Sequence, residues 1–126
     1  MSALLTARAF GELIYIEMIG LRGFQAVKRC VSRIKPSQTR EPVPAAAIAP
    51  VVDAMETASA FYPKKPPCLQ RSAVVTRMLR RRGVEAEMVI GCHLPPLQAH
   101  AWVEVGGKVV SDYQSGLEYY RVLDRW

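Results

Sequence analysis

The sequence predicts an α+β fold: helices over roughly the first two thirds of the chain, then a small antiparallel sheet. Three observations carry this. Apolar residues recur every three to four positions as far as Arg82. Beyond Gly83, β-branched and aromatic residues fall in short runs with polar neighbours. Two of those runs are separated by Gly106-Gly107, as in a hairpin. At 126 residues, half of them hydrophobic, the chain is long enough to bury a core without disulfides or metals.

From Ala3 to about Ile19 good helix formers dominate. Leu5, Ala9, Leu13 and Ile16 share one face, and Arg8 and Glu12 form an i,i+4 charge pair. Gly20 and Gly23 loosen the next turn, before a second helical piece from Phe24 to Ile34. This apolar stripe is expected to pack on the domain's own core. Docking against a partner protein, or membrane-surface contact through the N-terminal helix, is the alternative. Lys35 to Pro44 holds Pro36, Pro42 and Pro44 among polar residues and reads as a linker or extended crossing. The chain thus divides into residues 1–44, helices and Pro-containing linker packed on or docking to the core, and residues 45–126, the core itself.

Ala45 to Tyr62 reads as a helix, most clearly after Pro50, with Val51, Val52, Met55, Ala58 and Phe61 on one side. Asp53 and Glu56 lie in its early turns, where the helix dipole favours acids. Pro63 ends it. Pro66-Pro67 then force an extended approach to a helix from Cys68 to Arg82, stopped by Gly83. Cys68, Ser72, Val75 and Leu79 share a face, whereas Arg71, Arg77 and Arg81 point elsewhere. Val84 to Ile90 is a strand, Gly91 to Gln98 a Pro-containing loop, Ala99 to Tyr113 a hairpin, and Leu117 to Leu123 a further strand.

The net charge of +6 and pI near 9.6 favour an acidic partner, but the excess is local. Much of it sits in Arg77, Arg80, Arg81 and Arg82, and in Arg22, Lys28, Arg29, Arg33 and Lys35. No nucleic-acid motif accompanies these residues, so no nucleic-acid partner is expected. Three cysteines without regular spacing make no disulfide framework and fit a reducing cytoplasm. Arg8, Glu12 and Glu17 interrupt the N-terminal apolar run, which argues against an export signal or a membrane span. A cytoplasmic location follows.

The chemistry gathers between Cys68 and Asp112. A cysteine attacks as its thiolate, and a free thiol pKa of about 8.5 leaves little of that form at neutral pH. A helix N-terminus and a nearby imidazolium both lower the value. Pro66-Pro67 put Cys68 at a helix start, where unpaired backbone N–H groups converge. Those amides also suit a developing oxyanion, at about 3–4 kcal/mol per donor. His100 and Asp112 lie on the two strands of the hairpin. A two-residue Gly106-Gly107 turn would set Ala101 against Asp112 and put His100 and Asp112 on opposite faces. A three-residue loop, Val105-Gly106-Gly107 with Gly107 left-handed in a bulge, would set His100 against Asp112 and Glu104 against Lys108. The opposite-charge pair favours the second register. The carboxylate would then hold one imidazole nitrogen and leave the other for Cys68. Spacing alone does not separate a triad from three unrelated residues.

Cys92-His93 is a rival pair, but adjacent residues on an extended segment point apart. A zinc site from Cys68, Cys92, His93 and His100 has no familiar ligand spacing. Neither a metal nor a cofactor is expected, and Cys30 reads as helix packing.

At these residues the sequence resembles a known family. Cys68-Leu69-x-Arg71-Ser72, the helix ending Leu79-Arg80-Arg81-Arg82-Gly83-Val84, and His100-Ala101-Trp102-Val103-Glu104-Val105 with its glycine turn are similar to the lasso-peptide leader peptidases. These are relatives of the microcin-maturation protease, within the transglutaminase-like branch of the papain-type cysteine-protease fold. The resemblance covers about residues 45–125. It implies a bacterial cysteine protease that removes the leader from a ribosomally made precursor peptide, with Cys68, His100 and Asp112 as nucleophile, base and orienting acid. It also implies a separate leader-binding protein that delivers the substrate, and a macrolactam-forming, ATP-dependent cyclase that takes the product. The first 35 residues read as helices and leave no room for a fused β-rich leader-binding module. Arg71, Arg77, Arg81 and Trp102 are candidates for substrate or partner binding; a solvated basic face and core packing are the competing roles. Two other functions fit the same residues: thioester-forming acyl transfer to an amine, and a non-catalytic peptide- or membrane-binding module.

Overall fold

A computed structural model of the chain describes residues 3–34, 45–63, 67–93, 98–111 and 120–126. In order these form α1 (Ala3–Gly20), α2 (Phe24–Ser32), α3 (Ala45–Phe61), α4 (Cys68–Arg81), β1 (Ala86–His93), β2 (Gln98–Val105), β3 (Lys108–Ser111) and β4 (Arg121–Arg125). The four strands make one antiparallel sheet in the order β3-β2-β1-β4. The expected linker over 35–44 lies outside the described residues.

The α+β expectation holds, and α4 is its axis. Every residue from Ser72 to Arg80 is buried, because this helix packs against α1, α2 and α3 on some sides and β1 and β2 on another. The cluster it centres on takes Ala9, Leu13 and Ile16 from α1, Val27 and Val31 from α2, and Val51, Met55 and Ala58 from α3. From the sheet come Ala86, Met88, Ile90, Ala101 and Val103. A fully buried Leu13 or Ile16 contributes about 1.5–3 kcal/mol by leaving water. The stripe predicted on the first helix is therefore occupied by the chain's own core.

The end of β1 differs from expectation. Strand β1 runs on through Gly91, Cys92 and His93, which the sequence assigned to a loop. Pairing explains this: Gly91 bonds into a ladder with His100 of β2 on one side and Val122 of β4 on the other. Helix α3 begins at Ala45 and passes through Pro50, where one ladder hydrogen bond is given up.

The basic cluster of α4 needs correction. Arg77 is 5% exposed; it donates to the Glu12 carboxylate (2.9 Å), to the carbonyl of Cys30 (3.1 Å) and to the Cys30 sulfur. Arg80 is 6% exposed and donates to four carbonyls: Ala86 (3.0 Å), Val31 (3.0 Å), Ile34 (3.1 Å) and Trp126 (2.7 Å). Both are internal cross-links. Arg77 is thereby removed as a surface for substrate or partner, because its guanidinium is already consumed inside the fold. Arg81 is partly exposed but also donates to Glu12 (2.7 Å). The Glu12 carboxylate, expected to serve Arg8, is turned onto α4. Cys30 packs as expected, 3% exposed.

Candidate active site

Cys68 is the first residue of α4, and the extended backbone of Pro67 (φ −60°, ψ 153°) delivers it there. The first intrahelical bond is Arg71 N–H to the Pro67 carbonyl at 3.1 Å. Amides ahead of it have no acceptor within the helix, so they point their donors past the start of α4. The thiol is half-buried and packs at the margin of the core beside Leu69.

The turn after α4 decides which residues share this end. Val84 N–H bonds the Leu79 carbonyl (3.0 Å) and Arg80 reaches the Ala86 carbonyl, so β1 starts beside the helix's C-terminus. From there the chain doubles back. The five residue-to-residue steps of strand from Ala86 to Gly91 span about 17 Å, close to the roughly 21 Å length of a 14-residue helix. Gly91 and its partner His100 therefore stand at the sheet end nearest the N-terminus of α4.

Alternation along β2 fixes the faces. Ala101 and Val103 enter the core, while His100, Trp102 and Glu104 occupy the outer face. There the imidazole stacks on the Trp102 indole, with ring centroids 6.0 Å apart and planes at 25°. Tyr120 closes on both rings, 5.9 Å from His100 and 6.1 Å from Trp102. Trp102 is 3% exposed and its indole N–H donates to Glu104 at 2.8 Å. Glu104 in turn accepts from Arg125 (3.1 Å), which also reaches Glu87 (3.3 Å). These carboxylates hold the Arg125 pKa above its ordinary value, the Glu104 hydrogen bond first among the causes. The indole is thus packed away on the outer face of the sheet, against His100, Tyr120 and Glu104.

The hairpin register also needs correction. Val105 pairs with Lys108 and Glu104 with Val109, across a two-residue turn whose glycines have φ of 60° and 80°. Two adjacent glycines adopt the double left-handed turn without a side-chain penalty, and its twist matches the strands. Glu104 finds its cation in Arg125 instead of Lys108. A bulge then shifts the ladder, so that Val103 faces Ser111.

Of the expected site residues, Cys68 stands at the first position of α4 on the core side of the sheet, and His100 lies on the sheet's outer face beside Trp102. Asp112 lies outside the described residues. Arg71 is half-buried on the first turn of α4. Sequence reasoning missed Gly91 and Tyr120. An isolated glycine inside a strand signals close approach by another group, and that signal was there to use. Among the described residues no cluster of three or more His, Cys, Asp or Glu is placed to hold a metal ion. No helix among them is long and apolar enough to cross a membrane.

Comparison with known proteins adds two findings. A 48-residue stretch is 44% identical to the microcin J25-processing protein McjB of Escherichia coli, covering 38% of this chain and 23% of that protein. The alignment therefore spans under a quarter of the relative's length. No solved structure is significantly similar. Residues 18–125 match the model of the transglutaminase-like superfamily, and the chain belongs to that superfamily.

Proposed function

We propose that this chain is a cysteine peptidase that removes the leader from a ribosomally made lasso-peptide precursor. The observation that carries the reading is the 44% identity to a microcin-processing protein, joined to a cysteine at the first position of the central helix. In the proposed reaction His100 takes the Cys68 proton and the thiolate attacks the last leader carbonyl. The first-turn amides of α4 receive the oxyanion. The imidazolium then protonates the departing core amine, and water hydrolyses the thioester, returning the proton to Cys68. Asp112 orients His100. Arg81, partly exposed, remains a contact for an acidic leader. A separate leader-binding protein presents the precursor and an ATP-dependent cyclase consumes the freed core, both in the cytoplasm.

The test is mass spectrometry of a precursor mixed with this protein and the leader-binding protein. Cys68→Ala, His100→Ala and Asp112→Asn should each reduce leader release by at least about a hundredfold, with precursor binding intact. Cleavage that survives Cys68→Ala would sink the reading. The superfamily's chemistry also admits an amine in place of water, so added amine that appears in the leader product would instead mark acyl transfer.

A further inference from the structure

Gly91 is where the sheet makes room for the ring beside His100. A Cβ built at this position would lie 2.7 Å from Trp102 Cη2, 2.9 Å from Cζ3 and 3.3 Å from the Arg121 carbonyl. The first two separations are shorter than real side chains tolerate, and the third leaves no slack on the other side. The indole cannot tilt freely either, because its N–H is tied to Glu104 and Glu104 to Arg125. A buried ring clamped at one edge and lying on bare backbone has a single position. That ring is the stacking partner of His100, and Tyr120 bears on both.

We propose that Gly91, Trp102 and Tyr120 are positioning residues for the His100 imidazole: the bare backbone of Gly91 seats the indole, and the two aromatic rings set the orientation of the base. The proposal rests on the reading of His100 as the base for Cys68. An imidazole on a strand has two rotatable bonds. Stacking removes that freedom before substrate arrives. None of the three residues touches the reacting atoms.

Size exchange tests it. Gly91→Ala should push the indole off its seat; adding Trp102→Phe removes the outer ring that carries Cη2 and Cζ3, and should let it settle again. Two readouts are taken on full-length protein whose folding is checked by thermal unfolding. One is the rate at which iodoacetamide alkylates Cys68 at pH 7, followed by peptide mass spectrometry with Cys92 as internal reference. The other is the NMR signal of the His100 ring protons, assigned with His100→Gln. Gly91→Ala should slow Cys68 alkylation about tenfold, leave Cys92 within about twofold, and move the His100 ring signals. The double variant should recover most of both, whereas a merely structural loss would not be rescued by a smaller ring. Tyr120→Leu, which leaves the Gly91 seat untouched, should also shift the His100 signals. His100 signals unmoved in folded Gly91→Ala and Tyr120→Leu overturn the proposal, as does a double variant no better than Gly91→Ala. A Cys68 rate insensitive to His100→Ala would instead overturn the catalytic reading, whatever the ring signals do.

Discussion

Arg80 carries a charge into a core of valines, methionines and alanines, and four main-chain carbonyls make that tolerable. Burial pushes its pKa below the ordinary arginine value, with Glu87 opposing. The acceptors come from α2 and its end, from β1 and from Trp126, so one side chain ties three parts of the chain to α4. Each hydrogen bond to a charged group is worth about 1.5–3 kcal/mol. Arg80→Met keeps the apolar stem and leaves the carbonyls without a donor; it should cost about 3–5 kcal/mol, read from the urea midpoint. Arg82→Ala, two positions on and exposed, should fall within about 0.5 kcal/mol of wild type. Equal losses at both positions would refute the distinction. In the sequence the four arginines look alike. Helical spacing places Arg77 and Arg80 on related faces, but it holds no trace of the carbonyl ends that α2 and the C-terminal strand bring to meet them.

Just past the end of α3, a polar contact adds to the apolar packing on α1. The Tyr62 hydroxyl donates to the Glu17 carboxylate, and the Tyr62 ring packs on Phe10 at 5.5 Å. Burial first, then the hydrogen bond and the negative charge of Glu17, push the Tyr62 pKa up from 10 to about 12. The native state therefore holds this proton more tightly than the unfolded chain does. The stabilisation is complete below pH 10 and is lost as pH climbs from 10 to 12, because the unfolded chain gives up the proton first. Tyr62→Phe should show a flatter stability profile over that window, and its ultraviolet titration should lose an ionisation near pH 12. Profiles that fall in parallel would contradict the assignment. This contact could not be foreseen: the two residues are 45 positions apart, and nothing in either helix's periodicity names a polar partner. Elements whose cues are local fared better. Pro67 before Cys68 and Gly83 after Arg82 bracket α4 almost to the residue. The hairpin was located correctly but its register was not, because one cross-strand charge pair outweighed two adjacent glycines in the reading, and turn geometry in fact prevails.

At the scale of the molecule, chain order and spatial order part company. Alternation and turn signals made the α+β class, the Cys68 helix and the His100 strand legible, since each is written within a dozen residues. Where residues 3–34 belong is a question of packing, and the cluster of buried side chains answers it through α1 and α2. Ala9, Leu13, Ile16, Val27 and Val31 are each 1% exposed or less and meet Val51, Ala58, Val74 and Leu79. Arg77 and Arg80 then tie the same two helices to α4 through Glu12, Cys30, Val31 and Ile34. A boundary at residue 44 would cut through all of this. Residues 45–126 alone would expose the apolar flank of α4, strip Arg77 of Glu12 and Cys30, and leave Arg80 with two of its four carbonyls, a loss comparable to the 5–15 kcal/mol that holds a typical domain together. That piece should show no cooperative urea transition and little dispersion in its amide NMR spectrum. Supplying residues 1–34 as a separate peptide should restore both, at a concentration-dependent midpoint. A cooperative transition in residues 45–126 alone would mean that the N-terminal helices are an appendage of the fold, and that α4 keeps Cys68 in place without them.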